Sequence, residues 1–174
     1  MTDLEVNNVR ARIMTGGDMW WDLVESAQYE IPKGSGKTSM FAGALWIGGI
    51  DQGGQLKVAA MTYRQTGNDF WPGPLDTTSA STDVAICAAY DKHFQITRLE
   101  VEDYAGWLDD PASYPTVSGP SQAILDWPGN GDASKNEGHY LAPFYDADGD
   151  GTYDPYAGDY PGYDLGATTG ELHG

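Results

Sequence analysis

Several short stretches of this chain alternate apolar and polar positions, and 23 glycines and ten prolines punctuate it, densely outside residues 75–105. That pattern predicts short strands joined by turns. Within Val6 to Met14, Val9, Ala11 and Ile13 share one face while Arg10 and Arg12 share the other, a half-buried strand ended by Gly16-Gly17. Met19 to Leu23 and Ala27 to Ile31 are further strand candidates before Pro32. Ser39 to Ile50 is a long apolar run, and Gln55 to Arg64 follows across Asp51-Gln52-Gly53-Gly54. The two read as a β-hairpin whose first strand is buried on both faces. Helix signals are confined to the middle. Ser81-Thr82-Asp83 precedes Val84 to Tyr90, Glu100 to Leu108 forms a second stretch, and Ser121 to Leu125 offers one turn. Between the first two, Phe94 to Leu99 alternates as a strand. The expected fold is mainly β, a sandwich-like two-sheet domain with a few short inserted helices and a loop near the C-terminus.

Length and charge narrow the function. The 174 residues suit a single domain spanning 1–174, large enough to fold without a disulfide or metal. Nine Lys and Arg against 26 Asp and Glu leave a net charge of −17, which repels phosphate backbones and anionic headgroups. Nucleic acid and membrane-surface partners are excluded on that ground. The best apolar run, Phe41 to Ile50, holds three glycines and is too short for a bilayer-spanning helix, so no membrane insertion is expected. Neither a basic nor an apolar leader pattern follows Met1, so an export signal is absent, removed or replaced. Cys87 is the one cysteine and reads as a small buried apolar residue.

From Asn136 to Gly174 there is no Lys or Arg, while eight acids occur, so 136–174 stands apart as an acidic segment. Its centre is Asp146-Ala147-Asp148-Gly149-Asp150-Gly151-Thr152-Tyr153-Asp154. Acids at loop positions 1, 3, 5 and 9, a glycine at 6 and a backbone carbonyl at 7 wrap oxygen ligands around one hard cation. Calcium fits this spacing better than magnesium, which demands tighter octahedral geometry. Position 12, a bidentate Glu in an EF-hand, is Ala157, so the loop is an incomplete EF-hand, and Asp159 is placed to close it after Pro155. The pattern resembles the calcium loops of thrombospondin type 3 and dockerin-like repeats. That resemblance assigns Asp146, Asp148, Asp150 and Asp154 as side-chain ligands and Thr152 as a backbone ligand.

Other motifs carry less. Gly34-Ser35-Gly36-Lys37-Thr38 ends like a phosphate-binding loop, but its required first glycine is Ile31 and a strand follows in place of a helix. Trp20, Trp21, Trp46, Trp71, Trp107 and Trp127 supply surfaces on which a glycan could stack, Trp71 and Trp127 being the candidates for such binding. His93, His139 and His173 show no ligand spacing, and no nucleophile elbow is present, so the chain does not read as an enzyme.

The chain carries, in order, Val6-Asn7-Asn8-Val9-Arg10-Ala11, Gly16-Gly17-Asp18-Met19-Trp20-Trp21-Asp22, Tyr29 to Lys37, Leu45-Trp46-Ile47-Gly48-Gly49, Tyr63-Arg64-Gln65, Asp69 to Leu75, Tyr90-Asp91-Lys92, Leu125-Asp126-Trp127-Pro128, Leu141 to Tyr145 and Gly158-Asp159-Tyr160-Pro161. This series resembles the N-terminal region of large cell-surface and secreted proteins of Bacteroidetes exported by the type IX secretion system. The resemblance implies an extracellular or cell-surface location. Ending at Gly174, the chain reads either as an N-terminal module or as a short relative. Its tail, 166–174, is poor in core-forming residues, so two placements are expected: packing on its own domain, or strand addition to a neighbour's sheet edge. The second would build a homo-oligomer or polymer, as a fibre or tube. The expected role is an extracellular, calcium-stabilised structural module. Glycan binding as an adhesin is the alternative.

Overall fold

The structure, a computed structural model, describes residues 2–63 and 69–163, together with the backbone of 172–173. Arg64 and Gln65 of the resemblance, and most of the 166–174 tail, lie outside the described residues. The protein is mainly β, with antiparallel sheets of short strands and a few short helices. It divides into two compact units, one formed by Met1–Gly73 with Asp83–His93 and the other by Pro74–Thr82 with Phe94–Gly174.

The first unit is built on β1 (Thr2–Leu4), β2 (Arg10–Ile13), β3 (Asp18–Met19), β4 (Tyr29–Glu30), β5 (Thr38–Met40) and β6 (Gly43–Ala44), in one sheet. β2 is its centre. Ala11 pairs with Leu4 on one side and Tyr29 on the other, and Ile13 pairs with Thr2 and Met19. The alternation within β2 explains this position. Ala11 is buried, while Arg10 and Arg12 reach across the opposite face to Asp3, at 2.8 and 2.7 Å, and Arg10 also meets Glu30 at 3.0 Å. The hydrogen bond from Arg12, reinforced by Arg10, holds the Asp3 carboxyl below its usual range against the opposing effect of burial. Gly17, at φ +87°, admits Phe70, whose ring lies 2.6 Å from where a Cβ would sit.

The expected long strand over 39–50 is broken into β5, β6 and β7 (Trp46–Ile50). β7 pairs only with β8 (Leu56–Ala60), and every residue of β7 is exposed. The expectation of burial on both faces is therefore wrong, because among the described residues no sheet or helix covers this two-stranded ribbon and its apolar residues are exposed. α1 (Val84–Tyr90) forms as expected, with Asp83 accepting a hydrogen bond from the Ile86 N–H at 2.8 Å. Cys87 lies on it, half-buried. Ala11, Trp21, Met61 and Ile86 are buried in this unit.

In the second unit, α2 (Arg98–Asp109) starts where Thr97 accepts from the Glu100 N–H at 3.2 Å. The strand expected over Phe94 to Leu99 does not form, since residues 94–97 are irregular and the cap at Thr97 turns the rest into helix. α3 (Gln122–Leu125) is a single turn capped by Ser121. β9 (Phe144–Tyr145) pairs with β10 (Tyr160–Pro161) and, on its other side, with β11 (Leu172–His173). Val101, Tyr104, Ile124 and Phe144 form the buried apolar set of this unit. Among the described residues no helix is long and apolar enough to cross a membrane.

Candidate metal centre

The acidic loop leaves β9 at Tyr145 and returns into β10 at Tyr160, two residues that pair directly across the ladder. Their rings stack 4.7 Å apart with planes 15° from parallel. The pairing fixes the two ends, so Asp146 and Asp159, the residues just outside it, face each other at the loop's mouth. Phe144 anchors β9 with no exposed surface. Between the ends the chain turns on Gly149, Gly151 and Gly158, each at positive φ.

The loop is wound around two buried carboxylates. Asp146 accepts from the Gly149 and Gly151 N–H groups through its two oxygens, each at 2.8 Å. Asp159, fully buried, accepts from the Ala147 and Asp154 N–H groups, again at 2.8 Å each. Asp148 is exposed and accepts from the Asp150 N–H at 3.2 Å. One oxygen from each of Asp146, Asp148 and Asp159 lies within 4.8 Å of the others, a spacing at which the three could hold a metal ion. Burial pushes the Asp159 carboxyl above its usual range, and the charges of Asp146 and Asp148 add to that, against the lowering effect of its two backbone donors. A cation among the three would relieve both costs at once.

The carboxylates of Asp150 and Asp154 make other bonds. Asp150 turns to the Thr152 N–H at 2.6 Å, and Asp154 caps the 3₁₀ turn Pro155–Ala157 by accepting from the Tyr156 N–H at 2.9 Å. Thr152 thus enters the local network through its N–H.

Three supports escape a reading of the sequence. Asn130 accepts from the Tyr153 N–H and donates to the carbonyls of Gly151, at 3.1 Å, and His139, at 3.0 Å. Tyr153 donates its hydroxyl to the Ile124 carbonyl at 2.7 Å, and Tyr104 donates to the Pro155 carbonyl at 2.6 Å. Burial raises both tyrosines, most strongly Tyr153, so they stay protonated as donors. The loop is thereby fixed to α2 and α3. The only sequence cue was the turn composition of Pro128-Gly129-Asn130-Gly131, which marks a bend without naming its partners.

Elsewhere the rival motifs resolve into local structure. The nest of Gly34 to Lys37 is occupied by the chain's own anion, the Glu30 carboxylate accepting from the Gly36 N–H. His93 shares a 3.1 Å hydrogen bond with Thr2. Trp127 donates to the Pro143 carbonyl at 3.1 Å, while Trp71 is more than half exposed.

No protein-family model matches the chain, and neither a curated protein nor a solved structure matches it.

Proposed function

We propose that this protein is an extracellular structural module whose acidic loop is braced by calcium. One observation carries the reading: two buried carboxylates, Asp146 and Asp159, converge with Asp148 inside a span of 4.8 Å, in a segment whose sequence contains no Lys or Arg. Like charges held this close repel strongly at low local dielectric, and a divalent cation converts that repulsion into attraction. The all-oxygen donor set and flexible glycine loop suit calcium, with backbone carbonyls and water completing its shell. Asp150, Thr152 and Asp154 take outer roles in this reading, orienting the loop around the three ligands.

A calcium brace works where calcium is abundant. Extracellular modules bind it with dissociation constants of about 0.1 to 1 mM, which agrees with the surface location implied by the resemblance to Bacteroidetes secreted proteins. The pairing of Leu172–His173 with β9 gives part of the tail a partner in its own chain, so the structural role does not depend on strand addition there.

Calorimetric titration of the purified chain tests the proposal. The expected result is one calcium site in the submillimolar to millimolar range, with magnesium binding more weakly. No heat of calcium binding at millimolar concentration would overturn it.

A further inference from the structure

The β7–β8 ribbon presents an apolar face that the protein itself leaves uncovered. Directly paired residues share a face in an antiparallel ladder, so Trp46 with Ala60, Gly48 with Val58, and Ile50 with Leu56 form one continuous surface. Trp46, Ile50, Leu56 and Val58 are 66, 68, 68 and 57% exposed. These side chains alone expose roughly 500 Å² of hydrocarbon, near the upper limit of the largest patch on a typical monomer. We infer that this face docks against the same face of a second copy of the chain.

Three observations favour a second copy over other occupants. The one polar side-chain group on the face, the Trp46 indole, already donates to the Met61 carbonyl at 2.7 Å, so hydroxyl-rich ligands find no side-chain partner there. The ribbon carries little charge of its own on a chain of net charge −17: its strands contain no acid, their single cation, Lys57, lies 3.5 Å from Asp51, and the carboxylate bonded to the ribbon, Asp69, is turned to the Ala60 N–H at 3.0 Å. Two such chains repel wherever their acidic surfaces meet, and least where these ribbons meet. Finally, the relief is self-complementary. A twofold axis through the Gly48–Val58 pair sets the large Trp46 end of one copy over the aliphatic Ile50–Leu56 end of the other. Two faces of this size, fully covered, together remove at most about 1,000 Å² from water, the size of a weak, reversible dimer contact. The contact also adds a layer to a ribbon that two strands alone hold only marginally.

Sedimentation equilibrium of the full chain, run in chelator at low and high salt, tests the inference. The dimer is expected to form without calcium, because the ribbon and the acidic loop lie in different units, so failure of the calcium reading leaves this result unmoved. High salt should tighten it by screening the like charges. The variant Leu56→Glu with Val58→Glu should weaken association roughly 100-fold by placing unpaired charge in the contact, with far-UV circular dichroism unchanged. If that variant unfolds, the single change Val58→Thr, milder at an exposed strand position, should still weaken the dimer measurably. A monomer throughout, up to about 100 μM, overturns the inference, as does a dimer indifferent to these substitutions.

Discussion

Asp148 carries a charge that its own hydrogen bond does not require: it is exposed and accepts one N–H at 3.2 Å, yet an oxygen of it lies within 4.8 Å of ligand oxygens on Asp146 and Asp159. Asp148→Asn therefore separates the ion from the fold. In chelator it should change stability by no more than about 0.5 kcal/mol, because removing a like charge offsets the weakened acceptor. In calcium it should abolish most of the ion's stabilisation, as read by thermal unfolding. A different group of carboxylates sets the acid limit. Asp22 accepts from the Val24, Glu25 and Ser26 N–H groups, and these hold its carboxyl down to about 2. Asp76, held by the Ser79 N–H and hydroxyl and by Thr78, also lies at about 2. A folded-state value below the unfolded one means stability that is complete above the unfolded value of 3.8 and is lost as pH falls through about 2. Carboxyl chemical shifts followed by NMR should show both groups titrating near 2, and Asp76→Asn should flatten the loss of stability between these values.

At the scale of elements, helix starts were legible because a capping side chain acts locally. Asp83 and Ser121 cap where the sequence places them, and Thr97→Ala should cost about 1 kcal/mol in urea unfolding through loss of the α2 cap. The alternation in β2 was legible for a related reason, since two arginines opposite two apolar residues leave one face to bury. Alternation fails at Phe94 to Leu99, where a cap outweighs it, and a continuous apolar run at Trp46 to Ile50 forms an exposed strand. Hydrophobicity records that a strand avoids water but not whether this chain supplies the cover. In the loop, the spacing of acids located the segment, and among the described residues Asp146, Asp148 and Asp159 converge, brought together by the β9–β10 pairing that the spacing alone does not show, while Asp150 and Asp154 serve the neighbouring turns. Long-range supports had no local signature. Gly131 illustrates this, since a Cβ there would sit 2.3 Å from the Gly138 carbonyl oxygen, beside the Asn130–Tyr140 bridge that backs the loop. Gly131→Ala should destabilise the protein by about 1–3 kcal/mol, checked by chemical denaturation, since backbone must move to admit the methyl group.

For the whole molecule, the two units carry different specialisations. The first exposes a largely apolar ribbon, and the second gathers carboxylates around a loop fastened to its helices. The two proposals, a calcium brace in one unit and a contact between copies in the other, are independent of each other and are tested separately. The calcium brace is the central claim, and linkage gives its size. At about ten times its dissociation constant, an ion bound only by the folded state adds about 1.4 kcal/mol, which for a chain of this length raises the melting midpoint by about 3–6 °C. Thermal unfolding in millimolar calcium and again in chelator, for the native chain and for Asp148→Asn, is the most direct test. The account predicts that calcium raises the midpoint of the native chain and leaves that of the variant almost unmoved. Equal midpoints for the native chain in both conditions would contradict it.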